Sequence, residues 1–276
     1  HPESICEPAM LARHSPLKQF PEISCMKKIL LAAFLSLFTT LSFAQNTRIT
    51  DRNTIGWLAY SGTIRLDQKW SLHTELQLRR DRLITDPQQN LIRTGINYTL
   101  NNKLSLRAGY ALAETYNYGD IPLNNLGKQF TEHRIYQMAT LNDKSGIFEF
   151  SHRFMLEQRW IGRYTNASLT KEDDFVYWNR MRYMFRTNIP LKGRTITDKT
   201  PYLAFYDEIL IGFGKNVNEN IFDQNRLAIL LGYRFSPKAR IEGGYLNQIA
   251  QLSREVNGRN VFQDNKGVLL STILNF

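Results

Sequence analysis

The sequence predicts an all-β chain folded as an antiparallel up-and-down transmembrane β-barrel. Three observations lead there. Apolar residues recur at every second position over stretches of roughly ten residues, the length of a tilted membrane strand. The connections between stretches alternate between short and long. The polar faces carry charges of both signs rather than the Lys, Thr and Ser of a solvated face. No helical apolar period follows residue 45, and a mean hydropathy of −0.38 excludes a helical membrane bundle.

In chain order, residues 54–66 read as a Gly-containing strand. Residues 70–81, WSLHTELQLRRD, alternate most clearly: Trp70, Leu72, Thr74, Leu76 and Leu78 take one face, and Ser71, His73, Glu75, Gln77, Arg79 and Asp81 the other. Residues 91–100 and 103–116 follow, with Arg93 and Arg107 on their polar faces, and 131–141 is a weaker strand with mixed faces. Residues 146–160 set Glu149, Arg153 and Glu157 against Phe148, Phe150, Phe154 and Leu156. Residues 175–189 contribute Arg180, Arg182 and Arg186, residues 201–212 contribute Glu208, residues 225–235 contribute Arg226 and Arg234, and residues 238–250 contribute Arg240 and Glu242. The last stretch, 267–276, sends Val268, Leu270, Thr272, Leu274 and Phe276 outward. Leu269 and Ile273, apolar on its inner side, are expected to pack against the N-terminal segment.

Single-chain bacterial barrels use even strand numbers. Twelve strands are therefore expected, with 46–53 as a short first strand, and ten is the alternative. Short turns are expected at 67–69, 101–102, 142–145 and 236–237, an intermediate one at 190–200, and long polar segments at 82–90, 117–130, 161–174, 213–224 and 251–266. A soluble sandwich is the competing architecture. Arginine and glutamate facing one another suit a narrow wet interior better, because planar guanidinium groups bridge carboxylates, and a sheet in hydrocarbon must close its edges.

Residues 26–44 read as a secretory signal peptide: Met26-Lys27-Lys28, the apolar run ILLAAFLSLFTTLSF, and cleavage between Ala44 and Gln45. Residues 1–25, which precede it, are expected not to belong to the native protein, leaving 45–276 as the barrel domain. Both cysteines, Cys6 and Cys25, lie before the expected cleavage point, so the exported domain does not depend on disulfides. The net charge of +10 is dispersed, with Lys27-Lys28 and Arg79-Arg80 the longest basic strings, which argues against a nucleic-acid partner.

The signal peptide, the hairpins WLAYSGTIRLDQKWSLHTELQLR and NRLAILLGYRFSPKARIEGGYLNQ, and the segment RMRYMFRTNIPL resemble the bacterial outer-membrane family labelled domain of unknown function 2490, over residues 50–276. The resemblance implies an outer-membrane location in a Bacteroidetes-type bacterium and implies no activity. It also makes Leu274 and Phe276 the expected terminal assembly signal, and outer-membrane lipid, lipopolysaccharide and the barrel assembly machinery the expected partners.

Catalytic chemistry finds little support. Ser151 and His152 are adjacent and so point to opposite faces of a strand, which prevents a nucleophile–base contact. His73 near Glu75 reads as polar filling, and His133 is isolated. Glu172-Asp173-Asp174 would hold calcium only if further oxygen donors converged. No cofactor and no metal are expected. The functional expectation is a structural or interaction barrel with a charge-filled interior. A narrow anion-preferring pore is the first alternative, because the interior holds more Arg than Glu. A lipid-modifying enzyme is the second.

Overall fold

The computed structural model describes residues 48–217 and 220–276. The expected leader 1–25, the signal peptide 26–44 and the cleavage point between Ala44 and Gln45 lie outside the described residues. Eleven strands among the described residues close into one barrel: β1 (Ile49–Arg65), β2 (Trp70–Asp81), β3 (Asp86–Thr99), β4 (Leu104–Thr115), β5 (Phe130–Ser145), β6 (Phe148–Arg163), β7 (Asp174–Pro190), β8 (Thr200–Phe213), β9 (Phe222–Ser236), β10 (Ala239–Val256) and β11 (Arg259–Asn275). Sequential neighbours run antiparallel, and β1 closes on β11 as a parallel pair.

The strand number corrects the expectation of twelve, or ten. Asp51 and Asn53 alternate in phase with Ile55 and Trp57, so residues 49–53 continue β1 instead of forming a strand of their own. They pair with β11 from Ile49 opposite Val261, and the ladder runs on to Thr63 opposite Asn275. An odd number of up-and-down strands leaves the first and last pointing the same way. A parallel ladder still satisfies every backbone group at the seam, so closure does not need a twelfth strand.

The expected long segments at 82–90 and 251–266 are also corrected. The first shortens to 82–85, turned by Arg82 and Leu83 at φ 48° and 68°. The second is a hairpin extending β10 and β11, reversed by Asn257 and Gly258 at φ 53° and 68°. Two successive left-handed residues make the turn that matches strand twist, and Asn-Gly is the dipeptide that adopts it. True loops remain at 116–129 and 164–173 on this rim, and 214–217 leads out of β8 there.

Outside, a band of exposed Leu, Ile, Phe, Met and Val encircles the barrel. Aromatic residues mark both of its edges. Toward the short turns Trp70 packs on Tyr98 with centroids 4.7 Å apart, and Phe150 stacks on Phe185. Toward the loops Trp160 packs on Tyr177 at 5.3 Å. Inside, Leu269 joins Ile55, Trp57, Leu230 and Leu246 in the main apolar cluster.

The seam ends on Phe276, whose N–H donates to the Thr63 carbonyl (2.8 Å) while its own carbonyl accepts from the Arg65 N–H (3.0 Å). Deleting Phe276 removes both bonds at the point of closure. The deletion is expected to lower the yield of folded barrel, measured as the fraction that shows heat-modifiable gel migration. A yield equal to that of the full chain would contradict this role.

Candidate functional site: the charged interior

Strand alternation places Arg180 and Arg182 on the same inward face of β7, and register sets Arg180 opposite Glu157 of β6. Glu157 is fully buried and anchors a network. It accepts from Arg180 Nε (2.7 Å) and from Arg182 Nη1 (2.9 Å), and Arg93 of β3 reaches across to 4.0 Å. Arg182 also bridges to Glu208 of β8 (2.7 Å), which takes Arg153 at 2.8 Å and Arg226 at 3.4 Å. Arg180 in turn donates to Asp223 of β9 (2.7 Å). Nearer the loops, Glu132 is held by Arg134 through two bonds of 2.7 Å and by Arg159. Charges removed from water demand such pairing, since an isolated buried ion costs several kcal/mol.

Trp57 of β1 fills the remaining space. The guanidinium carbons of Arg79 and Arg226 stand 4.0 Å and 5.3 Å from its ring, and its indole N–H donates to Gln88 (2.9 Å). Tyr136 of β5 donates to the Thr94 carbonyl of β3 (3.1 Å). Together these contacts form a belt that crosses the interior between strands up to three apart in the ring. One cavity of about 150 Å³ lies on its loop side and one of about 410 Å³ on its short-turn side, with Arg226 lining both.

The loop-side mouth is capped by Tyr118 from loop 116–129, which donates to Gln263 (2.6 Å) and accepts from Asn265 (3.1 Å). Burial pushes its hydroxyl up to about 12. At the other rim, Ile196 alone of residues 191–199 is buried, and its carbonyl accepts from Arg234 (3.1 Å).

Of the interior charges expected from sequence, Arg79, Arg93, Arg153, Arg180, Arg182, Glu208 and Arg226 meet in or beside the belt. Glu75 pairs with Arg93 at 2.9 Å, and Glu242 with Arg186. Arg107 bonds to Asn97, and Arg240 forms no ion pair among the described residues, though both line the larger cavity. Glu149 and Arg234 belong to the rim, beside Lys144 (3.8 Å) and Asp198 (3.5 Å).

Sequence reasoning missed Glu132, Arg134, Arg159, Asp223 and Trp57. Arg159 shares the parity of Glu157 and was recoverable. Asp223 points inward because of an irregular register between β8 and β9, which nothing in the local pattern announces.

His152 faces outward, with Nδ1 2.9 Å from the Tyr183 hydroxyl, while Ser151 lines the larger cavity on the opposite side. His133 bonds outside to Tyr110 (2.6 Å), and His73 sits inside, 3.3 Å from Glu75. The acids of 172–174 pin their loop to neighbouring strands and to itself, with Asp174 paired to Arg163 of β6. Glu172 accepts from Thr131 N and Oγ1, both at 2.6 Å, and hydrogen bonds from Thr165 hold the Asp173 carboxyl below its usual range.

A family model described as a protein of unknown function, DUF2490, matches residues 54–259. Among solved structures the chain is similar to one described as a NanC porin in a rhombohedral crystal form, at 14% identity and a TM-score of 0.40, covering 75% of this chain and 91% of that one. No curated protein matches.

Proposed function

This chain belongs to the DUF2490 family of proteins of unknown function, and from that premise we propose that it is an integral outer-membrane barrel whose interior is closed by a belt of ion pairs. In this reading it acts as a structural or interaction barrel rather than an open pore. The membrane location is supported by the exposed apolar band with aromatic edges and by the export signal read at 26–44. Lipid and lipopolysaccharide would meet that band, and the barrel assembly machinery would handle the chain during insertion.

One observation carries the closed reading: Glu157, Arg93 and the Arg79–Trp57–Arg226 stack cross the interior between non-neighbouring strands, with separate cavities on either side. In planar bilayers the purified barrel is expected to give no channel events. The arginine excess around both cavities favours a second reading, a narrow anion-preferring pore, because charge at a constriction sets selectivity. Regular anion-selective events would replace the first reading with the second, and cation-selective events would remove both. An enzymatic role draws no support from Ser151 and His152, which stand on opposite faces of β6.

A further inference from the structure

The cavity on the short-turn side of the belt has more positive charge than its own walls neutralise. Seven arginines line it against three glutamates. Those carboxylates are already committed: Glu208 to Arg153, Arg182 and Arg226, Glu242 to Arg186 and the Tyr202 hydroxyl, Glu75 to Arg93. Arg107 and Arg240 form no ion pair among the described residues, and Arg240 is exposed at the mouth.

Hydrogen-bonding capacity inside is likewise unspent. The Nε groups of Arg93 and Arg153 and Nδ1 of His73 are buried with no hydrogen-bond partner among the described residues. Arg93 is 5% exposed and His73 3%, so bulk water does not relieve them. A buried donor left without a partner costs about 1–3 kcal/mol, more when charged. Two guanidinium donors left open at one cavity describe a site built for something that accepts, and the unpartnered His73 Nδ1 offers its polar body one more contact.

We infer that this cavity binds a small organic oxyanion carrying two or more negative charges, of the polycarboxylate or phosphate class. Arg107, Arg153 and Arg240 take its charged groups, and His73 and Ser271 contact its polar body. Guanidinium groups match the bidentate geometry of both oxyanions. The volume of about 410 Å³ suits such a molecule, and Leu230, Leu269 and Met184 supply an apolar wall for its carbon skeleton. The inference rests on the closed reading of the belt, which makes this half of the interior a dead-end pocket open toward the short turns.

The test is calorimetric titration of the detergent-folded full barrel with citrate, inorganic pyrophosphate, acetate and arabinose. Saturable binding of citrate or pyrophosphate is expected, and the stronger of the two assigns the charged group. Arg107→Gln and Arg240→Gln are each expected to weaken it about tenfold, the loss of one charge-assisted pair. Arg163→Gln, on the opposite rim beside Asp174, is expected to leave it unchanged. Absence of saturable binding overturns the inference, as does equal binding of acetate or arabinose, or binding that both cavity variants retain. Should Arg107→Gln fail to show heat-modifiable migration, Arg240→Gln at the mouth and ligand-induced thermal protection of the unmodified barrel decide. Conductance of the same samples reads the belt separately: channel events with binding overturn the closed belt alone, and silence without binding overturns the site alone.

Discussion

Glu157→Ala is expected to destabilise the folded barrel by about 3–5 kcal/mol, because it strips one partner from a buried pair and leaves the other uncompensated. The side chain is fully buried and contacts Arg180 and Arg182 directly, with Arg93 at 4.0 Å. Its removal places three guanidinium groups around an empty, electropositive space. Asp223 and Glu208 still hold the far sides of Arg180 and Arg182, so collapse should be partial. Glu157→Gln keeps the shape and one acceptor but loses the charge, and should fall between the two. Urea or thermal unfolding in detergent, followed by gel mobility, measures the series. A loss below ~1 kcal/mol for Glu157→Ala, the range of a solvent-screened surface pair, would mean that water reaches the belt and that the interior is open.

Gly267→Ala should act on a different part of the fold. Gly267 lies opposite Ile55 in the parallel β1–β11 ladder. A Cβ built there falls inside the Ile55 carbonyl group, which is backbone and cannot swing aside. The two strands would have to separate where the sheet closes, a cost expected to reach or exceed ~3 kcal/mol, the upper end for overpacking. An opened edge in hydrocarbon adds unsatisfied backbone groups, so the expected result is a strongly reduced heat-modifiable fraction. Gly243→Ala is the control. Its Cβ would meet only Leu270 at 3.5 Å and the Leu269 carbonyl at 3.7 Å, ordinary contact distances, so near-normal folding is expected. Equal behaviour of the two variants would refute the close approach at the seam.

Much of the site was legible from local pattern. In β2 and β7 every second residue turns inward, so Glu75, Arg79, Arg180 and Arg182 could be assigned to the interior residue by residue. In β5, Thr131, His133 and Gln137 blurred the outer face, and Glu132 and Arg134 were passed over beside them. The β10–β11 hairpin was read as a loop because both of its faces are polar, although Asn257-Gly258 marked the turn.

By itself, then, the sequence determined the all-β class, the two faces of most strands and the sign of the interior. These are local properties: the pleat sends successive side chains to opposite sides whatever the rest of the chain does. Only the tertiary structure decided that eleven strands suffice, that β1 and β11 close in parallel, and that Arg93 reaches Glu157 and Trp57 reaches Arg226. Those contacts join strands distant in the sheet order. Closure brings them together by curving the sheet, and no periodicity along a single strand encodes that curvature.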